Sequence, residues 1–272
     1  MRATIHSARR DARSHVVDSN AATAVQRRVP LLYFPGMDGT GKLFYRQRPA
    51  LSSHFDVRCL SLPTTGALLS WDEMLDLAIA HLPSEPAVLC GESFGGCWAM
   101  AVAARCPQHL AGLALINPAS SLARQSWLHG VSQWMSLLPE WVYHSSLPQS
   151  LRWLLAASQV TDRDRERFLE IIRVVDKQTS LHRFQLLQRF RADELSLETV
   201  SVPALVIASA RDRVLPSVAE ARRIAARLPR AAVEILPDSG HACLVERNIN
   251  LFEIFKSRGL LDALVAKPSA VR

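Results

Sequence analysis

The chain has 272 residues, 49% of them hydrophobic, and a formal net charge of +7. That length and apolar content suit one α/β core. No apolar run reaches the ~20 residues of a membrane span, and the N-terminus lacks the compact apolar core of a secretory signal.

Residues 1–28 carry six arginines against two aspartates. They read as a basic N-terminal arm. A solvated tail is the commonest outcome of such a composition; an organelle transit peptide and an arm drawn to an anionic surface share it. The first strand is Val29–Phe34, followed by the loop Pro35-Gly36-Met37-Asp38-Gly39-Thr40-Gly41. This loop nearly spells a P-loop, with Gly36 and Gly41-Lys42 in G-x-x-x-x-G-K register. The next residue is Leu43, where a magnesium-binding Ser or Thr belongs, which argues against nucleotide binding.

The run Ala87-Val88-Leu89-Cys90 is apolar throughout, as in a strand buried on both faces. It leads into Gly91-Glu92-Ser93-Phe94-Gly95, a G-x-S-x-G nucleophile elbow. The glycines suit a turn so tight that a Cβ at either would collide with its neighbours. Cys97–Ala104 is apolar all round, as in a helix lying deep in a core. Leu113–Ile116 supplies the next strand, making a β-α-β unit and a parallel sheet.

Residues 120–197 break this rhythm and are expected to form an inserted helical cap between core segments 29–119 and 198–272. Four of six tryptophans fall here: Trp127, Trp134, Trp141 and Trp153. For any single Trp, packing the cap onto the core is the favoured reading; lining a lipophilic pocket or touching a membrane is the other. Thr161 can cap a helix whose face is Phe168, Ile171, Ile172 and Val175; Phe184, Leu187 and Phe190 mark another.

Strand Ala204–Ala208 places Asp212 just beyond its end. Strand Val233–Leu236 leads into Pro237-Asp238-Ser239-Gly240-His241. Both loops fall at the carboxyl edge of a parallel sheet, where ligands bind. The order Ser, acid, His is that of α/β-hydrolases. Ser93 is the candidate nucleophile, His241 its base and later acid, and Asp212 the group that orients the imidazole. Asp238 is three residues before His241 and suits a loop-shaping role. The backbone N–H groups of Phe94 and Met37 are the candidate oxyanion hole.

Five cysteines, an odd number without C-x-x-C, imply a reduced, intracellular setting. The expected location is cytoplasmic, with membrane association or organelle targeting by the arm left open. No metal-ligand cluster or cofactor motif is present, so no cofactor or metal is expected. The expected partner is a small lipophilic ester, with peripheral membrane contact open and no nucleic acid. The oligomeric state is not legible.

Several blocks together carry a more specific resemblance: Pro35–Gly41, Gly91–Cys97, Ala101–Arg105, Asn117–Ser121, Asp212–Ser217 and Gly240-His241. From about Val29 to Phe255 the chain resembles the hydrolase domain of phytyl ester synthase-like proteins. That family joins acyl groups to phytol or diacylglycerol in plastids and cyanobacteria. The resemblance implies the α/β-hydrolase fold and esterase or acyl-transfer chemistry. Longer members carry an acyltransferase-like domain after the hydrolase domain. This chain ends at Arg272, so the expectation is a free-standing hydrolase or transacylase.

Three functions stand from sequence. The leading one is a serine hydrolase cleaving lipophilic carboxylic esters through an acyl-enzyme. The second is an acyltransferase passing that acyl group to a hydrophobic alcohol. The third is a noncatalytic ligand-binding protein on the same fold, against which the complete Ser-Asp-His set argues.

Overall fold

A computed structural model describes residues 28–125 and 136–265. Its centre is a six-stranded sheet in the order β2-β1-β3-β4-β5-β6, formed by β1 (Val29–Phe34), β2 (Phe55–Cys59), β3 (Ala87–Glu92), β4 (Leu110–Ile116), β5 (Ala204–Ser209) and β6 (Ala231–Leu236). Every pairing is parallel. Phe34 pairs with Gly91, Glu92 with Ile116, Ile116 with Ile207 and Ser209 with Leu236. The loops after β1, β3, β4, β5 and β6 therefore emerge along one edge.

Helices cover both faces: α1 (Arg48–Ser52), α2 (Trp71–Ala80), α3 (Phe94–Arg105), α7 (Ser217–Ala225), α8 (Leu251–Ser257) and α9 (Leu260–Val265). Between β4 and β5 lie α4 (Glu140–Leu154), α5 (Asp162–Arg173) and α6 (Lys177–Arg189). None of the described helices is long and apolar enough to cross a membrane.

The apolar runs read from sequence are strands, with shifted ends. β3 runs on through Gly91 and Glu92, delivering Ser93 directly off the strand. β4 begins three residues earlier than read, because Gly112 interrupts the apolar run without interrupting the strand. The edge strand β2 was not foreseen. Its Phe-Asp-Val-Arg-Cys alternation buries Phe55 and Val57 and exposes Asp56 and Arg58, the pattern of a strand covered on one face. Helix α3 is buried from Phe94 to Ala103, as an all-round apolar helix should be.

Thr161 caps α5, its Oγ1 accepting the Asp164 N–H at 3.1 Å. Phe168, Ile171 and Val175 are buried beneath it. Asp176 caps α6, accepting the Thr179 N–H at 2.6 Å. Two tryptophans depart from the packing role read from sequence: Trp141 is 73% exposed and Trp153 52%. Helix α4 uses Tyr143 and Leu147 as its buried residues. At 100° per residue, positions 141 and 153 point well away from that face. Trp127 and Trp134 lie outside the described residues.

The β4–β5 segment is stitched to the core near the carboxyl edge. Ala242 N–H donates to the Leu154 carbonyl and Arg247 N–H to that of Gln159, both at 2.9 Å, and Asp176 N–H donates to that of Thr64 at 3.1 Å. Leu43, Leu155, Val160, Phe168, Ala242 and Val245 form an apolar cluster across the junction.

Candidate active site

Ser93 sits where β3 stops and α3 starts, with φ 53° and ψ −112°. A non-glycine residue holds this backbone only when its surroundings impose it. Here the Ser93 N–H donates to the Ile116 carbonyl at 2.9 Å, and its own carbonyl accepts from Gly96 and Ala119, each at 3.0 Å. The turn brings α3 hard against β1 and β3. A Cβ on Gly95 would lie 2.0 Å from the Phe34 carbonyl oxygen, and one on Gly91 would lie 2.3 Å from that of Gly95. The spacing of the motif is thus a packing requirement.

Three residues read from separate loops meet here. Ser93 Oγ lies 2.9 Å from His241 Nε2, and His241 Nδ1 lies 2.7 Å from Asp212 Oδ2. Asp212 Oδ1 accepts the N–H groups of Val214 at 2.8 Å and Leu215 at 2.9 Å, and the Ser217 hydroxyl donates to Oδ2. Burial would raise the Asp212 pKa, but the imidazole and these donors outweigh it and hold the carboxyl below its usual range. Burial would likewise lower His241, yet Asp212, and further off Glu92, raise it above the ordinary value of 6.5. Asp238 stands apart, paired with Arg211 at 2.7 Å on the surface.

The loop after β1 abuts the elbow: a Cβ on Gly36 would lie 3.9 Å from Ser93 Cβ. The Gly39 N–H bonds the Gly36 carbonyl at 3.0 Å, turning that oxygen into the loop. Across the trans peptide the Met37 N–H faces the opposite way. Phe94 opens α3, where helix N–H groups have no intrahelical acceptor. This loop is not a phosphate cradle. Asp38, 5% exposed, fills it and accepts the Thr40 N–H at 2.8 Å, while Thr40 Oγ1 accepts the Lys42 N–H at 3.1 Å.

Four further residues support the site and were not assigned to it from sequence, although Asn117 and Glu92 lie within the sequence motifs. Asn117, at φ 43°, donates from Nδ2 to the His241 carbonyl at 2.7 Å and the Ser209 hydroxyl at 2.9 Å, and accepts the Ser209 N–H at 2.8 Å. Asn tolerates the left-handed region, so an Asn-Pro pair just past a strand was a readable signal. Glu246 is fully buried and accepts the Gly240 N–H at 2.8 Å, fixing the histidine loop. Glu92 accepts from the Tyr33 hydroxyl at 2.9 Å, and burial pushes its pKa up to about 7. Arg183, from α6, donates to the carbonyls of Met37 at 2.7 Å and Pro63 at 2.6 Å. No local pattern marks an arginine that acts so far along the chain.

Comparison with known proteins agrees with this architecture. Residues 29–247 match the family described as alpha/beta hydrolase fold. Chloroplastic phytyl ester synthase 1 of Arabidopsis thaliana is 32% identical over 259 residues, covering 84% of this chain. The match takes in 36% of that relative, so the chain spans about a third of its length. Pimeloyl-[acyl-carrier protein] methyl ester esterase of Chromobacterium violaceum is 29% identical, covering 74% of this chain and 83% of the relative. A thermophilic esterase from Thermogutta terrifontis shares the fold at a TM-score of 0.68 and 18% identity, covering 87% of this chain and 91% of the other.

Proposed function

The chain belongs to the alpha/beta hydrolase family, and from that premise we propose that it cleaves lipophilic carboxylic esters through an acyl-enzyme on Ser93. The observation that carries this reading is the unbroken path Ser93 Oγ–His241 Nε2 at 2.9 Å and His241 Nδ1–Asp212 Oδ2 at 2.7 Å, off a strained turn. His241 takes the Ser93 proton as Oγ attacks the ester carbonyl carbon. Negative charge on the former carbonyl oxygen is met by the N–H groups of Met37 and Phe94. Collapse expels the alcohol, which receives its proton from His241, and leaves acyl-Ser93. Asp212 keeps the imidazole in the tautomer that can accept at Nε2.

The inserted segment 120–197 acts as the cap over this site, and Trp141 and Trp153 offer exposed aromatic surface to an apolar ligand or lipid surface. The acyl group passes from Ser93 to water or to a hydrophobic alcohol. The likeness to a phytyl ester synthase supports the second acceptor. A fixed acyl ester with rising phytol or diacylglycerol tests the choice. New ester should appear as free acid falls, with neither product from Ser93→Ala. Free acid alone at every acceptor concentration would leave plain hydrolysis.

A further inference from the structure

A cleft of about 620 Å³ opens between the segment that follows the Met37 loop and helix α5. Its volume lies in the range of small-molecule sites. Thr40 and Gly41, the end of the Met37 loop, form part of one wall. Lys42, Arg48 and Arg167 line it, with Glu170 as the single carboxylate among the described residues. Among the described residues none of these three cations has an ion-pair partner, whereas the adjacent Arg46 is held by Asp164 at 3.0 Å. The Arg167 guanidinium stacks 3.8 Å above the Tyr45 ring. Alongside the charges Val174, 47% exposed, supplies apolar surface.

We propose that this cleft binds one organic phosphate monoester bearing a hydrocarbon arm. Three cations against Glu170 leave two positive charges, which a phosphate monoester's charge of about −1.5 to −2 balances. Two guanidinium forks suit its oxygens, and the exposed Val174 takes the hydrocarbon. The concave shape fits one molecule rather than a bilayer surface. A nucleoside triphosphate is not the occupant, because the Lys42 N–H is already bonded to Thr40 Oγ1 and Asp38 fills the loop.

Calorimetric titration of the Ser93→Ala protein with n-dodecyl phosphate, below its micelle concentration, tests this. Binding is read without turnover, so its failure leaves the esterase reading untouched. One molecule should bind at least tenfold more tightly than n-dodecylphosphocholine, which shares the chain but not the net charge, and than inorganic phosphate. The double change Arg48→Gln with Arg167→Gln should weaken binding at least tenfold. Val174→Glu, which removes no cation, should weaken it too. All three sites are exposed, and unchanged melting midpoints would confirm folding. Equal affinity for both head groups, a double variant that binds like its parent, or binding only to phosphatidylglycerol vesicles would overturn the proposal.

Discussion

Arg183 holds the carbonyl oxygen of Met37 at 2.7 Å across 146 residues of sequence. The guanidinium is buried, with Arg183 only 4% exposed. It lies against Gly39, where a Cβ would come within 2.6 Å of it. Burial lowers the Arg183 pKa, and the nearby carboxylates of Asp38 and Asp176 resist that shift. Helix α6 thus grips the loop whose N–H is the proposed oxyanion donor.

Loosening that grip should slow chemistry more than binding. Losing a whole oxyanion donor costs about 10²–10³ in kcat; freeing the loop that carries one should cost at least about tenfold. Arg183→Met is expected to lower kcat with KM little changed, and Arg183→Lys to recover part of the loss. A raised KM at unchanged kcat would show that Arg183 serves substrate binding instead.

The two loop aspartates should separate sharply. Asp212→Asn removes the charge that fixes the imidazole and should cost roughly 10³–10⁴ in turnover. Asp238→Asn breaks only an exposed pair with Arg211 and should leave turnover nearly intact. The reverse ranking in steady-state assays would assign the acid to the wrong carboxylate.

The pH profile follows from the charges around His241. Only neutral imidazole accepts the Ser93 proton, so kcat/KM should rise with pH through a value above 6.5, the side to which Asp212 and Glu92 move it. Glu92, its pKa raised to about 7 by burial, carries that charge only toward the upper end of the limb, so Glu92→Gln should shift the limb slightly to lower pH. An unmoved limb would mean that Glu92 does not influence the imidazole.

Much of this was legible because the signals are local. Gly91 and Gly95 mark a turn that tolerates no Cβ, and uninterrupted apolar runs mark strands buried on both faces. The edge strand Phe55–Cys59 was missed because its alternating charges look like loop composition. The outward-facing Trp141 and Trp153 were misjudged because hydropathy alone does not say which helix face meets the core. Arg183 and Glu246 act on carbonyls or N–H groups brought near only by the completed fold, so their spacing in sequence carries no trace of the contact.

Substrate length offers a graded check on the lipophilic reading. Each buried CH₂ contributes about 0.8 kcal/mol, roughly fourfold in kcat/KM per methylene. Activity across an acyl series should climb from acetyl to medium or long chains. A strict preference for acetyl or charged esters would contradict it.

The central claim is that Ser93 is the nucleophile. Labelling with a fluorophosphonate probe, followed by peptide mass spectrometry, addresses it most directly. The native protein should carry the adduct on the peptide containing Ser93, and Ser93→Ala should lose both the label and ester turnover. Labelling of the Ala variant at another serine, with turnover retained, would contradict the account.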